Sequence, residues 1–102
     1  MANDKLTPEQ IQDWLSRNPG WAASGGDAIG REFRFADFVH AVAFVNRVAE
    51  LAEAAEHHPD IDIRYSKVTL RLSTHDAGGV TGKDLDLARA AESAAAAARA
   101  VA

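Results

Sequence analysis

The sequence predicts an α+β domain whose elements follow the order α-β-β-α-β-β-α. Apolar residues recur at helical spacing in three segments, and two segments with alternating apolar residues and turn residues indicate β-hairpins between them. Two hairpins joined by helices make a four-stranded antiparallel sheet with the helices packed on one face. The 102 residues have the usual size of one domain, which we assign to residues 1–102.

The first helix is predicted to begin after Thr7. Thr7 suits the N-cap, Pro8 suits the first helical position, and Gln10 completes a capping box. The apolar positions that follow at helical spacing are Ile11, Trp14 and Leu15. The Asn-Pro-Gly of residues 18–20 is predicted to end the helix.

The first hairpin is predicted over residues 21–35, with its turn at residues 24–27 (Ser-Gly-Gly-Asp). Side chains of the second strand alternate between two faces, which is typical of a half-buried strand. One face is predicted to carry Ile29, Arg31, Phe33 and Phe35. The other face carries Glu32 and Arg34.

The middle helix is predicted over residues 38–56, with Asp37 as its N-cap. Its broad apolar stripe indicates the central helix of the core. The stripe consists of Phe38, Ala41, Val42, Val45, Val48, Ala49 and Ala52, widened by Phe44 and Leu51. Pro59 disfavours helical geometry at His58, so we expect the helix to end there, with His57 and His58 at its exit.

The second hairpin follows from a shift in the phase of the apolar residues. Those at odd positions are Ile61, Ile63 and Tyr65. Those at even positions are Val68, Leu70 and Leu72. One flat strand cannot place both sets on one face, because a slip of one residue inverts the faces. A tight turn at Ser66-Lys67 makes two antiparallel strands instead, and a bulged single strand is the alternative.

The last helix is predicted to follow the loop of residues 74–79, with Thr81 as its N-cap and Asp84 as the acid of a capping box. Its inward positions are Leu85, Leu87, Ala88 and Ala91. The alanines of residues 94–98 have high helix propensity but little apolar bulk. We expect this end either to fray or to lie against a partner subunit.

Composition excludes several classes of protein. The net charge is −4 and the basic residues are scattered, whereas a nucleic-acid-binding surface needs clustered Lys and Arg. The chain has no cysteine, which excludes disulfides, thiolate nucleophiles and cysteine–zinc sites. No secretory leader and no apolar run of about 18 residues is visible, so we expect a cytoplasmic protein without a membrane span.

Three of the four histidines fall in two short clusters, which form the candidate functional site. His57 and His58 lie within the Glu-His-His-Pro-Asp of residues 56–60, and His75 lies within the Ser-Thr-His-Asp of residues 73–76. The hairpin between the clusters returns the chain to its start, so we expect the imidazoles to converge. Imidazole has an unperturbed pKa between about pH 5 and 8, so this group beside carboxylates indicates proton transfer near neutral pH.

Other interpretations of these residues stay open. Histidines at the ends of helices and strands are often solvated, and three histidines can form a zinc site, although the usual ligand pair four residues apart is missing. His40, alone on the middle helix, is most simply a surface or partly buried residue. Glu53 either orients His57 or is a solvated charge. Asp84 is first of all a capping residue, and Asp76 either caps or orients its loop.

Taken together, these motifs resemble the pterin-4a-carbinolamine dehydratase family, also named the dimerization cofactor of a hepatocyte transcription factor. The family pattern has a Glu one turn before His-His-Pro, then an aromatic-bearing strand, Tyr-x-x-Val, Ser/Thr-His-Asp/Glu and Gly-Leu-Thr/Ser-x-x-Asp. The matching residues are Glu53, His57-His58-Pro59, Tyr65 and Val68, residues 73–76, and residues 79–84. The resemblance extends from Leu6 to Glu92 and includes Gly20-Trp21 and residues 33–38.

The resemblance implies a fold and an assembly. Its members have a four-stranded antiparallel sheet with helices on one side, which agrees with the order derived above. They form a homodimer by joining sheets, and some form a homotetramer by pairing again through helices. Joining sheets covers an edge strand that would otherwise invite aggregation.

The resemblance also implies a reaction. Family members dehydrate 4a-hydroxytetrahydrobiopterin to quinonoid dihydrobiopterin and need no metal and no organic cofactor. In this chain, the resemblance makes His57 and His75 the proton-transfer pair and His58 the residue that positions the pterin, and leaves open which histidine is the acid. The substrate-binding residues that it implies are Glu53, Pro59, Ser73, Thr74 and Asp84.

One departure from the family pattern bears on the substrate. Ile61 stands where the family commonly has Trp, at a position that borders the site. We therefore expect a lower pterin affinity or a somewhat different substrate. Because some family members act as dimerization or assembly partners, the alternative function is a non-catalytic partner protein with the same fold.

Overall fold

The computed structural model describes residues 4–100 and confirms the predicted order of elements. The elements are α1 Pro8–Arg17, β1 Ala22–Ser24, β2 Ala28–Arg34, α2 Phe38–Ala55, β3 Asp60–Arg64, β4 Lys67–Leu72, a 3-10 turn at His75–Ala77, and α3 Gly82–Ala100. The domain predicted over residues 1–102 also includes residues 1–3 and 101–102. Residues 1–3 are part of the N-terminal segment in which no secretory leader is visible. Both segments lie outside the described residues.

The four strands form one antiparallel sheet in the order β1-β2-β4-β3. Ile29 of β2 lies opposite Leu72 of β4. Phe33 lies opposite Val68, so these four side chains share one face of the sheet. All four are fully buried in one core, against which side chains of all three helices pack. The helices therefore cover one face, as predicted, and no helix among residues 4–100 is long and apolar enough to span a bilayer.

The predicted caps of the first two helices are present. The hydroxyl of Thr7 accepts the Gln10 backbone N–H, and the Gln10 side chain accepts the Thr7 N–H. At α2, the Asp37 carboxylate accepts the backbone N–H of His40 at 2.9 Å. This backbone bond first, and the His40 ring second, lower the pKa of Asp37 below its usual value. The charged carboxylate complements the positive end of the α2 dipole.

Helix α2 ends one residue before the predicted end, and for a different reason. Glu56 has a left-handed backbone with φ 52°, and its N–H bonds back to the carbonyls of Ala52 and Glu53. A left-handed residue stops a helix while satisfying its last carbonyls. The helix is thus closed before the chain reaches Pro59, so Pro59 is not what ends it.

The buried face of α2 is narrower than the predicted stripe. Its buried residues are Ala41, Phe44, Val48 and Ala52. Phe38 and Ala49 are exposed, because at about 100° per residue they lie about 80° and 100° around the helix from Val48. Phe38, Val39 and the partly buried Val42 therefore form an apolar surface, which we name the α2 patch. Val39 is 74% exposed.

The second hairpin is present, and its turn lies one residue earlier than predicted. Arg64 pairs with Lys67, so the two turn residues are Tyr65 and Ser66 rather than Ser66 and Lys67. Tyr65 has a left-handed backbone with φ 54°. This conformation is uncommon for a bulky aromatic residue, which is why the turn is not evident from the residue types.

Strand β3 forms one edge of the sheet and is exposed along its whole length. Ile61 lies opposite Leu70, and Ile63 lies opposite Val68, so both isoleucines share the side of the sheet that faces the helices. They remain 37% and 40% exposed, because within residues 4–100 no strand pairs with the outer side of β3. An apolar edge strand of this kind is a surface that natural proteins usually cover.

The alanine-rich end of α3 is helical to residue 100, so the expected fraying is not observed among the described residues. Ala94, Ala95 and Ala98 are buried in the core of the same chain. Alanine suits these positions because its small side chain lets α3 approach its neighbours closely. The burial of these three residues thus requires no partner subunit.

Candidate functional site

The ends of three strands bring the histidine clusters to one end of the sheet. Strands β2 and β3 begin where β4 ends, since both are antiparallel to β4. His58 lies just before β3, and His75 lies in the 3-10 turn just after β4. The hairpin thus returns the chain as expected from the sequence.

A polar cavity of about 230 Å³ lies at this end of the sheet, and we name it the His58–His75 cavity. Both imidazoles line it, together with Ser73. Its remaining lining residues are Asp27, Asp60 and Arg71, none of which was singled out as a site residue from the sequence. The arrangement can offer two imidazoles, carboxylates and a guanidinium to one small polar molecule.

His57 does not line this cavity. Its side chain is buried, and its Nε2 lies 2.6 Å from the Asp84 carboxylate. Its ring borders a different cavity of about 410 Å³ between the end of α2 and the start of α3, with Lys83 and Asp86 among the lining residues. The structure therefore brings His58 and His75 together in one cavity, and it places His57, the chain neighbour of His58, in another.

The Asp84 carboxylate is fully buried and is the centre of a hydrogen-bond network. One oxygen, Oδ2, accepts the backbone N–H of Thr81 at 2.9 Å and the hydroxyl of Thr74 at 2.8 Å. The hydroxyls of Thr74 and Thr81 lie 2.7 Å apart. The other oxygen, Oδ1, contacts His57. Asp84 thus has the predicted capping role and also holds His57.

The contact with Asp84 determines the tautomer of His57. An ionised carboxylate has no proton to donate, so Nε2 carries the proton of the shared hydrogen bond. In the neutral ring, Nδ1 is then the nitrogen that can accept a proton. A carboxylate that holds one ring nitrogen in this way orients the imidazole for acid–base chemistry at the other.

Glu53 contacts His58 rather than His57. Its carboxylate lies 2.9 Å from Nε2 of His58, and both side chains are well exposed. The left-handed Glu56 reverses the chain, which directs His57 into the protein and brings His58 back over the last turn of α2. Glu53 is therefore positioned to orient the histidine that lines the His58–His75 cavity.

The remaining predicted site residues lie around the loop that follows β4. The Ser73 hydroxyl donates to the Asp27 carbonyl at 2.6 Å. The Thr74 backbone is engaged in its own loop, where its N–H bonds the Gly79 carbonyl and its carbonyl accepts three N–H groups. Pro59 is partly buried, and Asp76 is exposed in the 3-10 turn.

His40 and the histidine site lie at opposite ends of α2. The Nδ1 of His40 is 2.6 Å from the Asp37 carboxylate at the first turn of the helix. Within residues 4–100, no three His, Cys, Asp or Glu side chains are grouped so that they could hold a metal ion.

The network around Asp84 predicts a large effect on stability. Asp84→Ala leaves the Thr81 N–H and the His57 ring without their acceptor, so we expect the free energy of unfolding to fall by about 2–4 kcal/mol. Asp86→Ala, an exposed carboxylate on the same helix, should change it by less than about 0.5 kcal/mol. Urea unfolding of both variants measures this. Equal midpoints for the two variants would contradict the structural role of the network.

Comparison with known proteins identifies the family. The model of the family "Pterin 4 alpha carbinolamine dehydratase" matches residues 4–94. A protein of Gloeobacter violaceus, "Putative pterin-4-alpha-carbinolamine dehydratase 2", is 59% identical over 90 residues, 85% of this chain and 98% of that protein. One of Acidobacterium capsulatum, named "Putative pterin-4-alpha-carbinolamine dehydratase", is 56% identical over 88 residues, 86% of this chain and 95% of that protein.

Two solved structures are also similar. The crystal structure of a "transcriptional coactivator/pterin dehydratase" from Brucella melitensis matches with a TM-score of 0.86 and 35% identity, over 90% of this chain and 99% of that chain. A "pterin dehydratase-like protein" described as a RuBisCO assembly factor in the alpha-carboxysome matches with a TM-score of 0.65 and 20% identity, over 74% of this chain and 89% of that one. The second likeness concerns the fold alone. The resemblance inferred from the motifs is therefore confirmed, and the chain belongs to the pterin-4a-carbinolamine dehydratase family.

Proposed function

We propose that this protein is a 4a-hydroxytetrahydrobiopterin dehydratase, which removes water from the pterin carbinolamine to give quinonoid dihydrobiopterin. The observation that carries the proposal is the histidine group at the end of the sheet: His58 and His75 line one polar cavity, and Asp84 holds the adjacent His57. Membership of the family and the names of its relatives support the same reaction. A cytoplasmic location is part of the proposal, since the substrate is a product of aromatic amino-acid hydroxylases.

The chemistry requires two proton transfers. The bond between C4a and its hydroxyl oxygen breaks, an acid protonates that oxygen, and the group leaves as water. N5 loses its proton to a base, and its electron pair forms the double bond to C4a. Each positioned acid or base contributes about 10²–10⁴-fold to such a rate. No metal and no organic cofactor takes part in the reaction as proposed.

We assign the proton transfers to His57 and His75 and the positioning of the pterin to His58. The hydrogen bond to Asp84 orients the His57 ring, which suits a group that exchanges protons through Nδ1. His75 is exposed within the His58–His75 cavity and is therefore accessible to a substrate there. His58, oriented by Glu53, would hold the pterin beside His75 in the His58–His75 cavity.

The other binding residues of the proposal surround the same end of the sheet. Glu53 acts through His58. Pro59 fixes the course of the chain between His58 and β3. Backbone groups of Ser73 and Thr74 would face the amide edge of the pterin, with Ser73 the better placed because the Thr74 N–H and carbonyl are engaged in the loop. Asp84 acts by positioning His57 and not by touching the substrate.

Rates measured with freshly generated 4a-hydroxytetrahydrobiopterin test these roles. We expect His57→Ala and His75→Ala to lower kcat by about 10²–10⁴-fold each. His58→Ala should raise KM more than it lowers kcat, because that residue binds rather than reacts. His40→Ala, at the far end of α2, is the control and should leave the rate unchanged. Variants of His57 and His75 that react as fast as the wild type would refute the catalytic assignment.

We also propose that the protein is a homodimer joined at the β3 edge. Strand β3 is exposed throughout, and Ile61 and Ile63 would extend the apolar face across such a junction. Pairing with the β3 strand of a second copy would satisfy its outer backbone groups. The α2 patch would offer a second contact for a tetramer.

The oligomeric state of charged variants tests this assembly. Ile63→Lys places a charge in the proposed junction, so we expect a monomer by analytical ultracentrifugation. Val39→Lys in the α2 patch is the matched control, equally apolar in the wild type but away from β3, and it should leave the dimer intact. If the dimer persists in Ile63→Lys and dissociates in Val39→Lys, the interface is formed by α2 and not by β3.

A second candidate function is that of a non-catalytic assembly partner with the same fold. The exposed α2 patch favours it, since monomeric proteins seldom leave neighbouring large apolar side chains uncovered. The name of the Brucella melitensis relative, 35% identical, combines coactivator and dehydratase. A well-folded protein that gives no acceleration of dehydration and binds one stoichiometric protein partner would favour this function over the enzyme.

A further inference from the structure

Three charged side chains that the proposed chemistry does not use form one wall of the His58–His75 cavity, and we name them the Arg71 wall. They are Asp27, Asp60 and Arg71. The Arg71 guanidinium donates from Nη2 to the Asp27 carboxylate at 2.8 Å and from Nε to the Ser24 hydroxyl at 3.2 Å. Its Nη1 lies 3.6 Å from the Asp60 carboxylate. The guanidinium thus links three strands at the end that carries the histidines.

The register of the sheet explains how Arg71 reaches the first hairpin. Arg71 of β4 lies between Gly30 of β2 and Asp60 of β3. From this position the Arg71 side chain reaches Ser24 at the end of β1 and Asp27 in the turn of the first hairpin. At Gly25 in this turn, a Cβ would lie 3.3 Å from Nη2, which shows how closely the guanidinium packs there. The wall is therefore held in a defined position.

The charges of the wall limit what it can bind. Two carboxylates against one guanidinium leave a net charge of −1 when the imidazoles are neutral. A phosphate or carboxylate substituent is disfavoured by this balance. An alkyl substituent would displace water from these partly exposed polar side chains without replacing its hydrogen bonds. A pair of hydroxyls fits, because each can donate to a carboxylate and accept from the guanidinium.

The position of the reacting atoms places a substituent of the pterin near this wall. The proposed proton transfers occur at C4a and N5, and the side chain of the pterin is attached at C6, the carbon next to N5. His75 acts at one of these atoms from within the His58–His75 cavity, so the C6 substituent lies within reach of the same cavity. Asp27, Asp60 and Arg71 are the charged groups that it would meet there.

We propose that the Arg71 wall recognises vicinal hydroxyl groups on the C6 side chain of the pterin and selects hydroxylated pterins over alkylated or anionic ones. This inference rests on the proposed pterin site. It assigns Asp27, Asp60 and Arg71 as residues that determine specificity, with no part in the proton transfers.

Fluorescence titration with stable oxidised pterins tests the wall without requiring turnover. The probes are biopterin, 6-methylpterin and 6-carboxypterin. We expect the wild type to bind biopterin about tenfold more tightly than 6-methylpterin, the equivalent of about two modest hydrogen bonds, and to bind 6-carboxypterin most weakly. In Arg71→Leu and Asp60→Asn, the affinities for biopterin and 6-methylpterin should become nearly equal while that for 6-methylpterin is unchanged.

Arg64→Leu is the matched control, because Arg64 is also an arginine beside a carboxylate, that of Asp62, but does not line the cavity. It should keep the preference for biopterin. Thermal melts establish that each variant is folded. No preference in the wild type, an unchanged preference in the two wall variants, or no pterin binding at all would overturn the inference. A preference that depends on the wall in a protein that does not dehydrate the carbinolamine would overturn the proposed reaction and leave the inference standing.

Discussion

The hydrogen bonds of the buried Asp84 carboxylate are the interactions on which the histidine site depends. It closes the first turn of α3 through Thr81, fastens the loop after β4 through Thr74, and holds the ring of His57. A carboxylate with no solvent exposure is tolerated only when hydrogen bonds from the protein replace those from water. Here both carboxylate oxygens of Asp84 have protein partners. The same group therefore serves stability and the orientation of a histidine.

The antiparallel sheet supplies the second constraint. Since β2 and β3 begin where β4 ends, the topology brings His58, His75 and the Arg71 wall to one end of the sheet. The cost of this arrangement is the exposed edge at β3, whose isoleucines lie uncovered in a single copy. The polar end of the sheet and its apolar edge are therefore suited to different ligands, a small molecule and another protein surface.

Features set by local sequence could be predicted, and features set by backbone detail could not. The caps at Thr7 and Asp37 and the alternation along β2 depend on neighbouring residues, so residue types reveal them. The left-handed Glu56 is neither Gly nor Asn, and nothing in its type indicates the reversal that turns His57 inward and gives Glu53 to His58. The expected convergence of all three imidazoles therefore holds for only two of them within one cavity.

The Arg71 wall illustrates a different limit. Asp27, Asp60 and Arg71 are far apart in the sequence, and each alone resembles a solvated charge on a turn or an exposed strand face. Their contact depends on the register that sets Arg71 between Gly30 and Asp60. The expected turn at Ser66-Lys67 would pair Arg71 with Asp62, whereas the observed turn at Tyr65-Ser66 moves that partner by two residues to Asp60.

The proposed reaction and the proposed specificity of the Arg71 wall both require that the histidine group at the end of the sheet binds a pterin. Imidazole nitrogen signals of ¹⁵N-histidine-labelled protein, followed by NMR while biopterin is added, test it most directly. We expect saturable changes at His58 and His75, a His57 ring that keeps its proton on Nε2, and no change at His40. Binding of biopterin that leaves the signals of His58 and His75 unmoved would contradict it.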